Sequence, residues 1–152
     1  SLTTTDQNQV RQKRQEVEFV VNQSGTNVTT STDEGGGQQR GNLSGGDWLQ
    51  LNGPFNLLNI GDVTFRTSGG TVGVPTGAVE IRRDAVDGPI VSTVTINGTG
   101  GNGVYLSQTF PLTDAGTHEY FLVFRSVPNG PGNNFFNLNW VEFVGPGVGV
   151  TP

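Results

Sequence analysis

The 152-residue chain has no cysteine and no methionine, and lysine and histidine occur once each, as Lys13 and His118. Without cysteine, neither a disulfide framework nor a thiolate metal site can form. One histidine excludes a three-histidine metal centre. No apolar run approaches the ~18 residues that a membrane-spanning helix needs. No stretch has helical periodicity. Positive charge is also scarce: 8 Lys and Arg stand against 13 Asp and Glu, for a net charge of −5. A nucleic-acid-binding domain would carry a basic surface. The only basic cluster, "RQKR" at Arg11 to Arg14, reads as part of a solvated tail. A chain with no methionine at all reads as a piece of a larger protein.

Turn-forming residues and short β-forming stretches are abundant instead. Glycine occurs 24 times and proline 8 times, among many threonines, asparagines and valines, which favours short strands joined by turns. The length suits one domain, able to bury roughly 70% of its unfolded surface. Strands are expected at "EVEFVV" (Glu16 to Val21), weakly around Val28, at "DWLQLN", at Val63 to Thr67, at "AVEIRRD", "IVSTVTI" and "VYLSQTFPL", at the most apolar segment "EYFLVFRSV", and at "FFNLNWVEFV". Nine or ten short strands at intervals of about ten residues predict an all-β sandwich of two antiparallel sheets. The module is expected over residues 15–145, between a linker or extended lead-in at 1–14 and a second linker at 146–152.

In "GGDWLQLNG" (Gly45 to Gly53), Leu49 and Leu51 alternate with Trp48, Gln50 and Asn52. Successive side chains of a strand point to opposite faces. If the leucines enter the core, Trp48 and Gln50 lie together on the outside. In "AVEIRRD", Val79 and Ile81 point inward, and Glu80 and Arg82 outward.

These segments resemble the family 6 carbohydrate-binding modules. "EVEF", "QSGTNV", "TDEGGG", "GGDWLQL", "TFRTSGG", "GAVEIRRD", "DGPIVSTVTI", "TGG", "GTHEYFLVF" and "FFNLNWVEF" follow one another in the family's order over about 130 residues. The resemblance implies a jelly-roll β-sandwich. It also implies a non-catalytic, secreted or cell-surface monomer that anchors covalently linked catalytic or other domains on polysaccharide such as β-glucan, xylan or agar-type chains. Neither nucleic acid nor membrane is an expected partner.

The resemblance carries residues with it. A structural calcium ion would sit at Glu16, Glu18 and Asn139, with backbone carbonyls near Thr32 and Asp33. Calcium takes six to eight oxygen ligands, and Glu16 and Glu18, two apart on one strand, would share a face. Sugar would bind in one of two places. On the concave face of one sheet, Trp48 matches the family's stacking platform, with Gln50, Glu80 and Arg82 beside it as hydrogen-bonding groups. At the rim, the family's two aromatic platforms are replaced by Asn42 and Asn102; Asn137 keeps the family's asparagine, and Tyr105 stands near. Trp140 reads as packing.

Other chemistries lack support. No compact acidic motif marks a glycosidase pair, and "DAVDGP" explains Asp84 and Asp87 as a turn. No serine has the nucleophile-elbow context, "GTGGNG" lacks the setting of a phosphate cradle, and His118 reads as structural. The Asn-x-Ser/Thr triplets at Asn27, Asn42 and Asn97 matter only where secreted proteins are glycosylated. The alternative reading is a structural or adhesive β-sandwich spacer that binds no sugar.

Overall fold

The computed structural model describes residues 13–147. The expected linkers therefore lie outside the described residues except at their inner ends. There, Arg14 already belongs to the first strand, two residues before the expected start at Glu16. Thirteen strands follow in chain order: β1 (Arg14–Glu16), β2 (Asn22–Ser24), β3 (Asn27–Thr30), β4 (Gln38–Gly41), β5 (Trp48–Gln50), β6 (Phe55–Asn56), β7 (Asp62–Ser68), β8 (Pro75–Arg83), β9 (Ile90–Asn97), β10 (Tyr105–Pro111), β11 (Thr117–His118), β12 (Tyr120–Arg125) and β13 (Asn137–Val144). They form two main antiparallel sheets. Sheet I runs β10-β7-β13-β4-β3, with β1 also paired to β13, and sheet II runs β2-β5-β12-β8-β9. A two-stranded ribbon joins β6 to β11.

Alternation accounts for the core. In sheet II, Leu49, Leu122 and Ile81 lie opposite one another across β5, β12 and β8, and each is at most 1% exposed. Sheet I meets them with Phe65, Leu138, Val141 and Phe143. Phe55, Tyr120 and Phe143 form an aromatic cluster between the layers, with ring centroids 5.1–6.4 Å apart. Burying each such side chain contributes about 1.5–3 kcal/mol. The most apolar segment, β12, occupies the middle of sheet II, where a strand is covered on both faces.

One expected strand does not form. "EVEFVV" is broken: Glu16 ends β1, Val17–Phe19 make a 3-10 turn, and β2 starts at Asn22. β1 belongs to sheet I and β2 to sheet II. Packed sheets stand about 10 Å apart, so the chain must leave its strand to cross between them. Val17, fully buried, is inserted into the core at the crossing. Glu16 and Glu18 therefore do not share a strand face.

Candidate functional site

The outer face of sheet II is set by the register that buries Leu49. One row across the sheet reads Ser24–Trp48–Val123–Glu80–Thr93, and the next reads Asn22–Gln50–Phe121–Arg82. All four expected residues, Trp48, Gln50, Glu80 and Arg82, thus share one face, and each is half-buried. The Trp48 ring meets Phe121 edge-on, with centroids 6.0 Å apart and planes at 62°. That geometry suits aromatic quadrupoles and braces the indole.

Beside the rings lies a charged clamp. Arg82 donates from Nε and Nη2 to Glu80 Oε1 at 3.1 and 3.0 Å, and from Nη1 to the Gly88 carbonyl at 2.7 Å. Arg125 donates to the same Oε1 at 3.1 Å. Burial of Glu80 would raise its pKa, but the hydrogen bonds and charges of Arg82 and Arg125 outweigh it and hold the carboxyl below its ordinary range. Phe121 and Arg125 were missed from sequence. "YFLVF" is apolar throughout, so it carries no alternation that marks an outward face.

The rim is a different surface. A cleft of about 240 Å³ is lined by Asn42, Gly69, Gly70, Asn102, Asn134 and Asn137, over the buried Phe135 and Phe136. Asn137 donates to Ser68 Oγ at 3.2 Å, and Asn42 donates to the Gly25 carbonyl at 3.2 Å. Gly69, at φ +115, lies so close to Asn102 that an added Cβ would stand 3.1 Å from its Oδ1. No exposed aromatic ring lines this cleft. Tyr105, expected to help here, is buried: its hydroxyl donates to Gln39 and accepts from the Thr32 amide. It begins β10 on the same face as Ser107 and is buried there by its ties to Ser31, Thr32 and Gln39, and so offers the rim nothing.

The expected calcium residues meet at the edge of sheet I. Glu16 pairs with Trp140, beside Asn139. Burial raises the Glu16 pKa; the Glu18 charge raises it further, Arg14 lowers it, and Asp33 raises it. Glu18 Oε2 is buried with no hydrogen-bond partner. The Asp33 carboxylate is engaged elsewhere. Arg66 grips it with two bonds of 2.8 Å, and Asn139 Nδ2 donates to it at 2.9 Å. The Arg66 bonds, against the opposing effect of burial, hold its pKa at about 2. Among the described residues no three His, Cys, Asp or Glu side chains are grouped as a metal site. A cation here would need Glu16, Glu18 and Asn139 together with main-chain carbonyls. Those are hard oxygen donors of the kind calcium takes, and the orphaned Glu18 oxygen fits such a role.

Two other residues are placed by the structure. His118 stands 2.9 Å from Asp84 and 2.7 Å from the Ala115 carbonyl, tying two turns together. Trp140, expected to pack, instead lies half-buried on the outer face of sheet I, beneath Arg14.

The chain matches the carbohydrate binding module (family 6) over residues 16–145. It is 31% identical over 137 residues to an arabinoxylan arabinofuranohydrolase of Paenibacillus polymyxa, covering 86% of this chain and 20% of that protein. It spans about a fifth of the length of the curated relatives it matches. Among solved structures it is similar to a family 6 carbohydrate-binding module from Clostridium cellulolyticum in complex with xylose, at 30% identity and TM-score 0.72, over 86% of this chain and 95% of that one. It is also similar to a carbohydrate-binding module of Cellvibrio mixtus lichenase 5A in complex with cellotriose, at 27% identity and TM-score 0.69, over 85% and 93%. A two-sheet sandwich that sets a tryptophan outward beside an arginine–carboxylate clamp, matched over nearly its whole described length, belongs to the family 6 carbohydrate-binding modules.

Proposed function

We propose that this non-catalytic module holds a larger, secreted polysaccharide-degrading protein on its substrate through the outer face of sheet II. One observation carries the reading. The half-buried Trp48 ring, braced edge-on by the buried Phe121, forms an apolar plate on the outer sheet face, with Gln50, Glu80, Arg82 and Arg125 around it. A pyranose presents an apolar C–H face and a rim of hydroxyls. The plate takes the first and the clamp takes the second. Because Glu80 pre-orders both arginines, little side-chain freedom remains to be lost on binding. The complexes of similar modules with xylose and cellotriose support neutral sugars as the ligand class. Catalysis, on this reading, belongs to other domains of the parent protein.

Electrophoresis through gels containing β-glucan, xylan or agar tests the reading. The wild-type module should be retarded by at least one polysaccharide, and Trp48→Ala should be retarded far less by the same one. Free migration of the wild type in all of them would favour the spacer reading, which a rim cleft without an exposed aromatic ring also favours.

A structural calcium ion at Glu16, Glu18 and Asn139, completed by carbonyls near Thr32 and Asp33, is part of the same proposal. Its supporting observation is the buried, partnerless Glu18 oxygen. The ion would neutralise the glutamates and fasten the sheet-crossing turn, with no part in sugar contact. A chelator should lower the melting temperature by several degrees, the size expected for about 1 kcal/mol in a domain of this length. Added calcium should restore it. An unchanged melting curve would remove the ion from the account.

A further inference from the structure

Sheet I presents an outer face of its own. Its register places Glu16–Trp140–Arg66–Ser107 in one row, and Arg14–Glu142–Thr64–Thr109 in the next. Trp140 alternates outward from the buried Val141. The ring opens on a groove of about 390 Å³ lined by Arg14, Asp33, Glu34, Arg66, Ser107 and Trp140. Its polar groups are already oriented. Arg66, held by Asp33, directs Nη1 to Ser107 Oγ at 3.2 Å, and the Thr64 and Thr109 hydroxyls pair at 2.7 Å. A tryptophan and a carboxylate-braced arginine stand together here as they do on sheet II, joined at the back of the sandwich by a set of hydroxyls.

One feature differs. The Arg14 guanidinium lies 3.8 Å above the centre of the Trp140 ring, at stacking distance. Among the described residues its ion pair is with Glu142, at 3.0 Å, and both partners are about a third to a half exposed. Exposed ion pairs and exposed cation–π contacts are each weak. Arg14 therefore covers a platform from which it can be displaced.

We propose that this groove is a second sugar-binding site, in which Trp140 stacks on a neutral glycosyl residue once Arg14 has swung off the ring. The ligand is uncharged rather than anionic, because Asp33 and Glu34 line the groove and Glu16 and Glu142 stand on the same face. The inference rests on the reading that the module binds neutral polysaccharide. It adds that the two tryptophans serve opposite faces.

The chain has only two tryptophans, so emission can assign each site. In Trp48→Ala, only Trp140 emits. Titration with laminarin, mixed-linkage β-glucan and soluble arabinoxylan should give a saturable change in that emission. Adding Arg14→Ala should move the midpoint about three- to tenfold lower, since two weak competing contacts are removed. In Trp140→Phe, a separate response should come from Trp48. A Trp48 response with a silent Trp140, whether or not Arg14 is present, would overturn the second site while sparing the first. A Trp140 response that Arg14→Ala leaves unchanged would overturn the covering role. Silence of both tryptophans would overturn the polysaccharide reading along with this proposal.

Discussion

The outer face of sheet II and the asparagine cleft at the rim both turn polar side chains to solvent, but only one offers a sugar something apolar. On sheet II, Trp48 is braced by Phe121, and Arg82 and Arg125 share one carboxylate. At the rim, Asn42, Asn102, Asn134 and Asn137 surround a cleft whose phenylalanines are sealed beneath it. Amides in water already have good hydrogen-bond partners, so exchanging them for sugar hydroxyls gains little net free energy. A flat ring that sheds water gains more. A binding fold can thus keep the shape of a site and still lose the part that supplies most of the affinity.

The comparison can be broken most directly at Trp48. Trp48→Ala should weaken polysaccharide binding about 30-fold or more, the loss typical of a central aromatic contact. Titration calorimetry would measure it, and retained affinity would move the site elsewhere. The opposite test is to repair the cleft. Asn102→Trp should add a platform there and raise the affinity of a Trp48→Ala protein about tenfold, of the order expected for one stacked ring. Asn42 is the poorer graft, since its φ of 54° is left-handed backbone that bulky residues adopt at a cost.

Smaller effects should follow from the clamp. Glu80→Gln frees Arg82 and Arg125 and should weaken binding about fivefold, the scale of one charge-assisted hydrogen-bonding group. The carboxyl is held below its ordinary 4.5, so its ionised form persists above that pH. Binding should stay level from pH 7 to 5 and decline only as pH falls below 4.5. Glu80→Gln should flatten that decline. The smallest effect is expected at the rim, where Asn137→Ala should alter affinity less than about twofold, within the usual spread of a peripheral contact. A larger loss, measured on the same polysaccharide, would promote the cleft to a working site.

Much of this was legible from the sequence because period-two alternation marks faces. Leu49 and Leu51 against Trp48 and Gln50, and Val79 and Ile81 against Glu80 and Arg82, put four residues on outward faces by alternation alone. Alternation fails where a strand is covered on both sides, which hid Phe121. It also fails where the chain changes sheets, and so Glu16 and Glu18 fell on different elements. Trp140 was misread for a related reason. Its neighbours in "NLNWVEF" are core residues, and nothing local tells that an arginine 126 positions earlier in the chain lies over its ring. Tyr105 stands near the rim in sequence but is buried on the outer face of sheet I by its hydroxyl's bonds to Gln39 and Thr32.

The β1–β13 pairing also has a mechanical side. The strands are antiparallel and joined by three residue pairs, with Arg14 opposite Glu142 at the outer end. Tension entering at Arg14 and leaving past Val144 would load those pairs one after another, as a zipper opens, and would not shear them all at once. β1 should then be the first element to yield in single-molecule pulling, at a force well below that of the sandwich itself. A single high-force event with no earlier step would contradict this. Since Arg14 leaves first, a chain under load would bare Trp140.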